Sequence, residues 1–270
     1  MKAKTVDVEQ LCSADFEIKT RSPKILLLDI ESAACVGRFW RNPWSTSIIR
    51  IVHDTHMLSW SVKWLDGKQI TRSLPDYKGY KAGSRDDKAL VEELCGILEQ
   101  ADIVVGHNLK KFDLPYIKGR AVINGLRPIK KLAIYDTRDA AKRHFGFTSN
   151  KMDDICRTMG FEPKIPIHFE TWEGCESGDM KSWRKMVRYN AHDVSPMLES
   201  IYLKFRAWDQ AHPNLATISN NPVVSCPSCG STDYVLRGWD YTVTGRRRAY
   251  ECKPCGRRYS GKHQKVTDYR

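Results

Sequence analysis

The chain has 270 residues, 41% hydrophobic and 10% aromatic, room for one full core plus a small module or for two modest domains. Its formal net charge of +12 suggests a polyanionic partner, although a generically basic soluble protein has the same balance. The opening MKAKTVDVEQLCSADFE has no apolar h-region, and no apolar run approaches the ~20 residues that cross a bilayer. A secretory leader and a membrane span are therefore not expected, and a reducing, cytoplasmic setting is.

Residues 1–21 are polar and mixed in charge, and read as an N-terminal arm. Lys24–Ser32, KILLLDIES, then carries four consecutive apolar residues that end in Asp29, Ile30 and Glu31. Such a run fits a strand buried on both faces, and residues two apart on a strand share a face. Asp29 and Glu31 therefore point the same way, where they repel each other unless a cation sits between them. A divalent metal is the simplest candidate, and a solvated strand end is the plain alternative. Ala33–Ser47 follows as a loop, with Trp40 and Trp44 among Arg38, Arg41 and Pro43. These tryptophans either stack on bases or pack the loop onto the body.

Ile48–Val52 and Met57–Trp64 are β-rich, and the second alternates Leu58, Trp60, Val62 and Trp64 with Ser59, Ser61 and Lys63, the pattern of a half-buried strand. Asp66-Gly67 turns it back into Gln69–Leu74, so the sheet is expected to be mixed. Asp86–Gln100 is a predicted amphipathic helix. Ile103–Val105 is a buried strand that runs into Gly106-His107-Asn108 and a helix opening at LKKFDLPYI. Ile134–Thr137 is a third core strand, with Asp136 read as the N-cap of the next helix. Helices are predicted over 138–145 and 151–159, Gly160–Gly178 is a surface excursion, and helices over 181–188 and 194–208 are broken near Asn190. This order predicts an α/β sheet with helices on both sides. Ala211–Pro222 reads as a linker.

After Pro222 there are ten basic and four acidic residues, so half of the charge surplus lies in the last 48 positions. Five of the nine cysteines, Cys12, Cys35, Cys95, Cys156 and Cys175, are scattered and read as small buried hydrophobes. The other four form CPSC, Cys226 and Cys229, and CKPC, Cys252 and Cys255. Two CxxC turns supply four thiolates to one structural Zn²⁺ with no open position, in a segment too small for a sizeable core of its own. The segment resembles a zinc ribbon. Arg246, Arg247 and Arg248 lie between the knuckles, and Arg257, Arg258, Lys262 and Lys265 follow them. With Trp239, Tyr241, Tyr250 and Tyr259 interleaved, they suit a nucleic-acid backbone, or else a solvated face beside a small aromatic core.

Two carboxylates cannot hold two hard cations, so further acids must converge on Asp29 and Glu31. Asp113 is expected at the same sheet edge, and Asp193 shares a helix face with Tyr189 four residues earlier. D-x-E at Asp29 and Glu31, N-x3-F-D at Asn108–Asp113 and Y-x3-D at Tyr189–Asp193 together resemble the three exonuclease motifs of the DEDD 3′–5′ exonuclease superfamily. The nearest likeness is the exonuclease domain of family-B DNA polymerases, over about Lys24 to Trp208. The histidine subtype would need His at position 188, which is Arg, so the tyrosine subtype is expected.

The resemblance implies a ribonuclease H-like α/β fold with the first strand central in a mixed sheet. It implies two-metal phosphodiester hydrolysis, with Asp29, Glu31, Asp113 and Asp193 holding two Mg²⁺ or Mn²⁺ and Tyr189 orienting the attacking water. Asn108 and Phe112 would touch the terminal nucleotide, unless Phe112 is core and Asn108 a cap. The backbone around Ile30 and Ser32 would hold the 3′ hydroxyl. The expected organisation is an arm over 1–21, a nuclease domain over 22–210, a linker over 211–222 and a zinc ribbon over 223–270. Expected partners are DNA, single-stranded by preference, or RNA, and a replication or repair protein, with no membrane and a monomeric chain. Two other readings share the same residues: a structure-specific endonuclease or resolvase on the same fold, and a nucleic-acid-binding adaptor with a vestigial site.

Overall fold

The computed structural model describes residues 21–41, 47–219 and 223–265. The first strand, β1 (Ile25–Ser32), is central because its apolar residues serve two cores at once. Leu26, Leu28 and Ile30 join Trp60, Leu90 and Leu94 on one side, while Ile25 and Leu27 join Ile103, Val105, Tyr202 and Phe205 on the other. Asp29 and Glu31 continue the second of these faces.

A short hairpin follows, β2 (Val36–Arg38) paired antiparallel with β3 (Arg50–His53). β2 lies within Ala33–Ser47, expected as a loop, and β3 overlaps Ile48–Val52, expected as β-rich. The main sheet continues with β4 (Met57–Trp64), β5 (Gln69–Ser73), β6 (Ile103–Gly106) and β7 (Ala133–Asp136). Its order is β5-β4-β1-β6-β7, with β4 antiparallel and β6 parallel to β1. The sheet is mixed, as the hairpin turn at Asp66-Gly67 predicts.

Helices α1 (Lys88–Leu98) and α2 (Asp113–Ile123) cover the first face. Trp60 is wholly buried beneath α1, and its Nε1 donates to Leu90 O at 3.0 Å. Helices α3 (Thr137–His144) and α4 (Met152–Thr158) cover the second face. Then α5 (Glu170–Ser177) and α6 (Met180–His192) lead through a kinked π-type segment, Asp193–Leu198, into α7 (Glu199–Phe205). The break lies at Ser195-Pro196 rather than near Asn190: Ser195 has φ −141° and ψ 119°, since Pro196 has no N–H to continue the ladder.

The polar face of β4 is buried, contrary to its alternating pattern. Ser59 and Ser61 are small enough to let α6 lie across the strand, and both are hydrogen-bonded, Ser59 to Asn190 and Ser61 to Gln69 and Thr71. Within 211–222, the single helical turn α8 (Leu215–Ile218) buries Leu215 in the second core.

The cysteine segment forms its own antiparallel sheet, β8 (Tyr234–Thr242), β9 (Gly245–Cys252) and β10 (Arg258–Lys265), with β9 central. Gly230 and Gly256 follow the two CxxC turns at φ +76° and +75°, a left-handed backbone that glycine adopts without strain. Each lets its N–H return to the first cysteine's carbonyl, Cys226 or Cys252, at 2.8 Å. This sheet is seated on the end of α7. Arg257, expected as a phosphate contact, is instead buried at this junction and donates to the carbonyls of Arg206 at 3.1 Å and Asp209 at 2.8 Å. No described helix is long and apolar enough to cross a membrane.

Candidate metal-dependent active site

Three carboxylates converge at the end of β1. Asp29, Glu31 and Asp193 each offer an oxygen within 4.8 Å of the others. Asp29 and Glu31 arrive on one strand face, and Asp193 arrives where α6 ends over that face. Asp113 opens α2 beside them, with its carboxylate accepting from its own backbone N–H and that of Ile30. Asp113 and Asp193 are buried.

The electrostatics are those of crowded acids taken out of water. Burial, then Asp113, Asp193 and Glu31, holds Asp29 well above the usual carboxylate range. Glu31 is pushed up to about 8, by burial first and Asp193 next, and Asp113 to about 7 by burial. Asp193 is also raised by burial, against the pull of Lys164. Its Oδ2 pairs with Lys164 Nζ at 2.7 Å, and its buried Oδ1 has no partner. All-oxygen donors, an orphaned carboxylate oxygen and mutual repulsion fit hard divalent cations.

Three supporting residues were missed at the sequence level. Asn190 Nδ2 donates to Asp29 Oδ2 at 2.7 Å, and its own Oδ1 accepts from Ser59 at 3.1 Å, which fixes the Asp29 carboxylate in rotation. Trp172 hydrogen-bonds Glu31 through its side chain. Lys164 also donates to the Tyr189 hydroxyl at 2.6 Å. It comes from the expected surface excursion, which folds over the site and is pinned there: Lys164 N–H donates to Asp153 at 2.7 Å, and the His192 ring meets Pro163 O at 2.9 Å. Asn190 carried a signal, being the second residue of the Y-x3-D motif itself. Lys164 carried none, since no periodicity ties a Pro-rich loop to a distant strand.

Tyr189 is raised to about 12 by burial, so its hydroxyl stays protonated at neutral pH. Asn108 has φ +71° and accepts from Arg138 at 2.7 Å through Oδ1. It caps no helix with its side chain; Asp136 holds its N–H, that of Lys110 and the first turn of α3. Phe112 is not core. It is 45% exposed and stacks on Tyr116 with centroids 5.8 Å apart. Ile30 is core, and Ser32 meets the Tyr116 hydroxyl. Trp40 is exposed on the β2–β3 hairpin, and Trp44 lies outside the described residues, as do residues 1–20 of the expected arm. Arg246, Arg247 and Arg248 lie exposed on β9, in a sheet separate from the acids. Arg246 and Arg248 cover the Trp239 ring at 4.2 and 4.1 Å.

The four cysteines form the second cluster. Cys226 and Cys255 Sγ are 3.6 Å apart, and Cys229 and Cys252 Sγ 3.4 Å. Both distances exceed the ~2.05 Å of a disulfide. They approach the ~3.8 Å edge of a tetrahedron with ~2.3 Å metal–sulfur bonds, so the cluster is compatible with zinc.

An RNase H superfamily model matches residues 53–203, more than half of the chain. The chain belongs to the RNase H superfamily and has the fold of an RNase H-like nuclease. The match contains Asp113, Tyr189 and Asp193 and begins downstream of Asp29 and Glu31. Among solved structures, the family B DNA polymerase from the hyperthermophilic archaeon Pyrobaculum calidifontis superposes with a TM-score of 0.50 at 17% identity. The likeness covers 70% of this chain and 26% of the polymerase chain, and at that identity it concerns the fold alone. No curated protein matches the chain.

Proposed function

We propose that the protein is a metal-dependent 3′–5′ exonuclease of the tyrosine subtype acting on DNA, single strands by preference. The observation that carries this reading is the cluster of Asp29, Glu31 and Asp193, with Asp113 beside it and one Asp193 oxygen orphaned, set next to a protonated tyrosine. Asp29, Glu31, Asp113 and Asp193 would hold two Mg²⁺ or Mn²⁺. When bound, such ions lower the pKa of a water and take up charge on the leaving 3′ oxygen. The chain's own groups do the rest. Asn190 and Trp172 hold Asp29 and Glu31 in fixed orientations. Lys164 donates to the Tyr189 oxygen, which leaves the tyrosine proton to be donated to the Asp193 carboxylate or to an acceptor brought into the site. Phe112 offers an exposed ring for the terminal base, and Asn108 is held ready by Arg138. We assign the nuclease to residues 22–210 and the ribbon, which would position nucleic acid through Arg246, Arg247 and Arg248, to 223–270.

Exonuclease and endonuclease readings differ in their need for an end. Linear single-stranded DNA should be digested with Mg²⁺ or Mn²⁺, while the same sequence circularised, or blocked at its 3′ end, should persist. Cleavage of the circle would overturn the exonuclease reading in favour of a structure-specific endonuclease, and labelled RNA in parallel reports sugar preference.

The raised carboxylates also predict a pH effect on the metal-free protein. Glu31 moves from 4.5 to about 8 and Asp113 from 3.8 to about 7 on folding. A group raised in the folded state favours folding below its unfolded pKa, and that contribution is lost as pH rises through the folded one. In EDTA, Tm should therefore fall between about pH 4 and 8, and added Mg²⁺ should restore it most at the alkaline end. A metal-free Tm that rises steadily across this window would contradict the assignment.

A further inference from the structure

We infer that the β2–β3 hairpin is a guide for the single strand of nucleic acid upstream of the 3′ end, stacking bases and neutralising phosphates before the strand reaches the carboxylates; this rests on the exonuclease reading above. The hairpin leaves β1 directly after the Asp29 and Glu31 face. From Ser32 to His53 the sequence has three arginines, Arg38, Arg41 and Arg50, and no acid. All three are exposed. Its large apolar side chains are on the surface too: Phe39, Ile48, Ile49, Ile51 and, at 74% exposed, Trp40. A two-stranded ribbon that buries none of these has no core of its own, and an apolar patch of this kind marks a binding surface.

The foot of the hairpin is joined to the active site. Thr55 Oγ1 donates to Ala33 O at 2.7 Å and lies 2.8 Å from the Tyr116 hydroxyl. Tyr116 stacks on Phe112, the residue before Asp113. An open cavity of about 370 Å³ lies just past the end of β3, bordered by Asp54, Thr55, Lys111, Phe112, Pro115 and Tyr116. The RFWR sequence at 38–41 sets two exposed aromatic rings between two exposed arginines. A strand of bases and phosphates matches that alternation: rings stack on Phe39 and Trp40, phosphates meet Arg38, Arg41 and Arg50, and the isoleucines offer apolar contact to base steps. A protein partner would find three like charges without an acid among its apolar contacts.

The test measures binding by the full chain, with Ca²⁺ in place of Mg²⁺, to 5′-labelled oligothymidylates of ~4 and ~16 nucleotides. Wild type should bind the longer strand more tightly. The Phe39→Ala/Trp40→Ala variant should lose about tenfold or more on the longer strand, the equivalent of one stacked base, and little on the shorter. Arg38→Ala/Arg41→Ala/Arg50→Ala should lower the slope of log Kd against log salt by about 2, at about 0.7 per phosphate on a single strand. Tm should hold in both variants, because these side chains lie outside the core. Wild-type affinity and salt slope in both variants would overturn the proposal. So would self-association of the wild type that the aromatic variant abolishes without a change in DNA binding, which would make the hairpin a protein interface. Binding is read without cleavage, so a wild type that binds through the hairpin yet leaves linear DNA intact in Mg²⁺ would refute the exonuclease reading and leave the nucleic-acid surface standing.

Discussion

Asp29→Ala is expected to abolish Mg²⁺-dependent digestion of single-stranded DNA while the variant stays folded and still binds DNA. Burial first, then Asp113, Asp193 and Glu31, hold Asp29 well above the usual carboxylate range. In the proposed chemistry it would be one of the carboxylates that hold the ions. Losing it removes several kcal/mol of charge stabilisation from the transition state, a fall of about 10³-fold or more in rate. Unfolding is not the explanation on offer, because the substitution relieves repulsion in the metal-free protein. Asp29→Asn keeps the side-chain volume and should raise the metal-free Tm by about 2–4 °C for each kcal/mol of repulsion removed. Retained digestion by Asp29→Ala would sink the site assignment, and a lowered Tm in Asp29→Asn would show that the acids do not repel as the geometry implies.

Cys252→Ser should release about one zinc per chain and unfold the ribbon while the nuclease sheet stays intact. Zinc binding in isolated finger peptides contributes ~10–16 kcal/mol, far more than a 43-residue sheet with an exposed face recovers from burial. The damage should extend to the junction. Arg257 and Ser228, which lock the ribbon onto the Arg206 carbonyl, lie within two residues of Cys255 and beside Cys229. Trypsin should then cut within Arg246–Arg258 of the variant and spare those sites in the wild type. Unchanged zinc content by mass analysis would refute the four-thiolate site.

Much of this arrangement is legible one motif at a time. The unbroken run Ile25–Leu28 marks a strand that faces two cores, because only burial on both sides tolerates continuous apolar residues. The D-x-E spacing puts two acids on one face by strand geometry alone, and the two CxxCG turns specify a tetrathiolate knuckle pair by local backbone conformation. Ser59 and Ser61 show where such reading misleads. Alternation predicts a wet face, but serines are small and can be satisfied by Asn190 and Gln69, so a helix covers them. Arg257 errs in the same direction, a long cation in a basic tail that is buried because four backbone and side-chain acceptors converge on it.

What the sequence by itself determined is therefore whatever depends on spacing: the central strand, the acid pair on its face, the Tyr189–Asp193 pair one helical turn apart, the mixed sheet and the cysteine knuckles. The tertiary structure decided what depends on long-range packing. Only the fold brings Lys164 across from a proline-rich loop to bridge Asp193 and Tyr189, turns Asn190 onto Asp29, and carries the arginine-rich hairpin out from β1. The physical reason is that spacing fixes which side chains share a face, whereas the group that meets a face comes from elsewhere in the chain, as Asn190 does for Asp29 from 161 residues away.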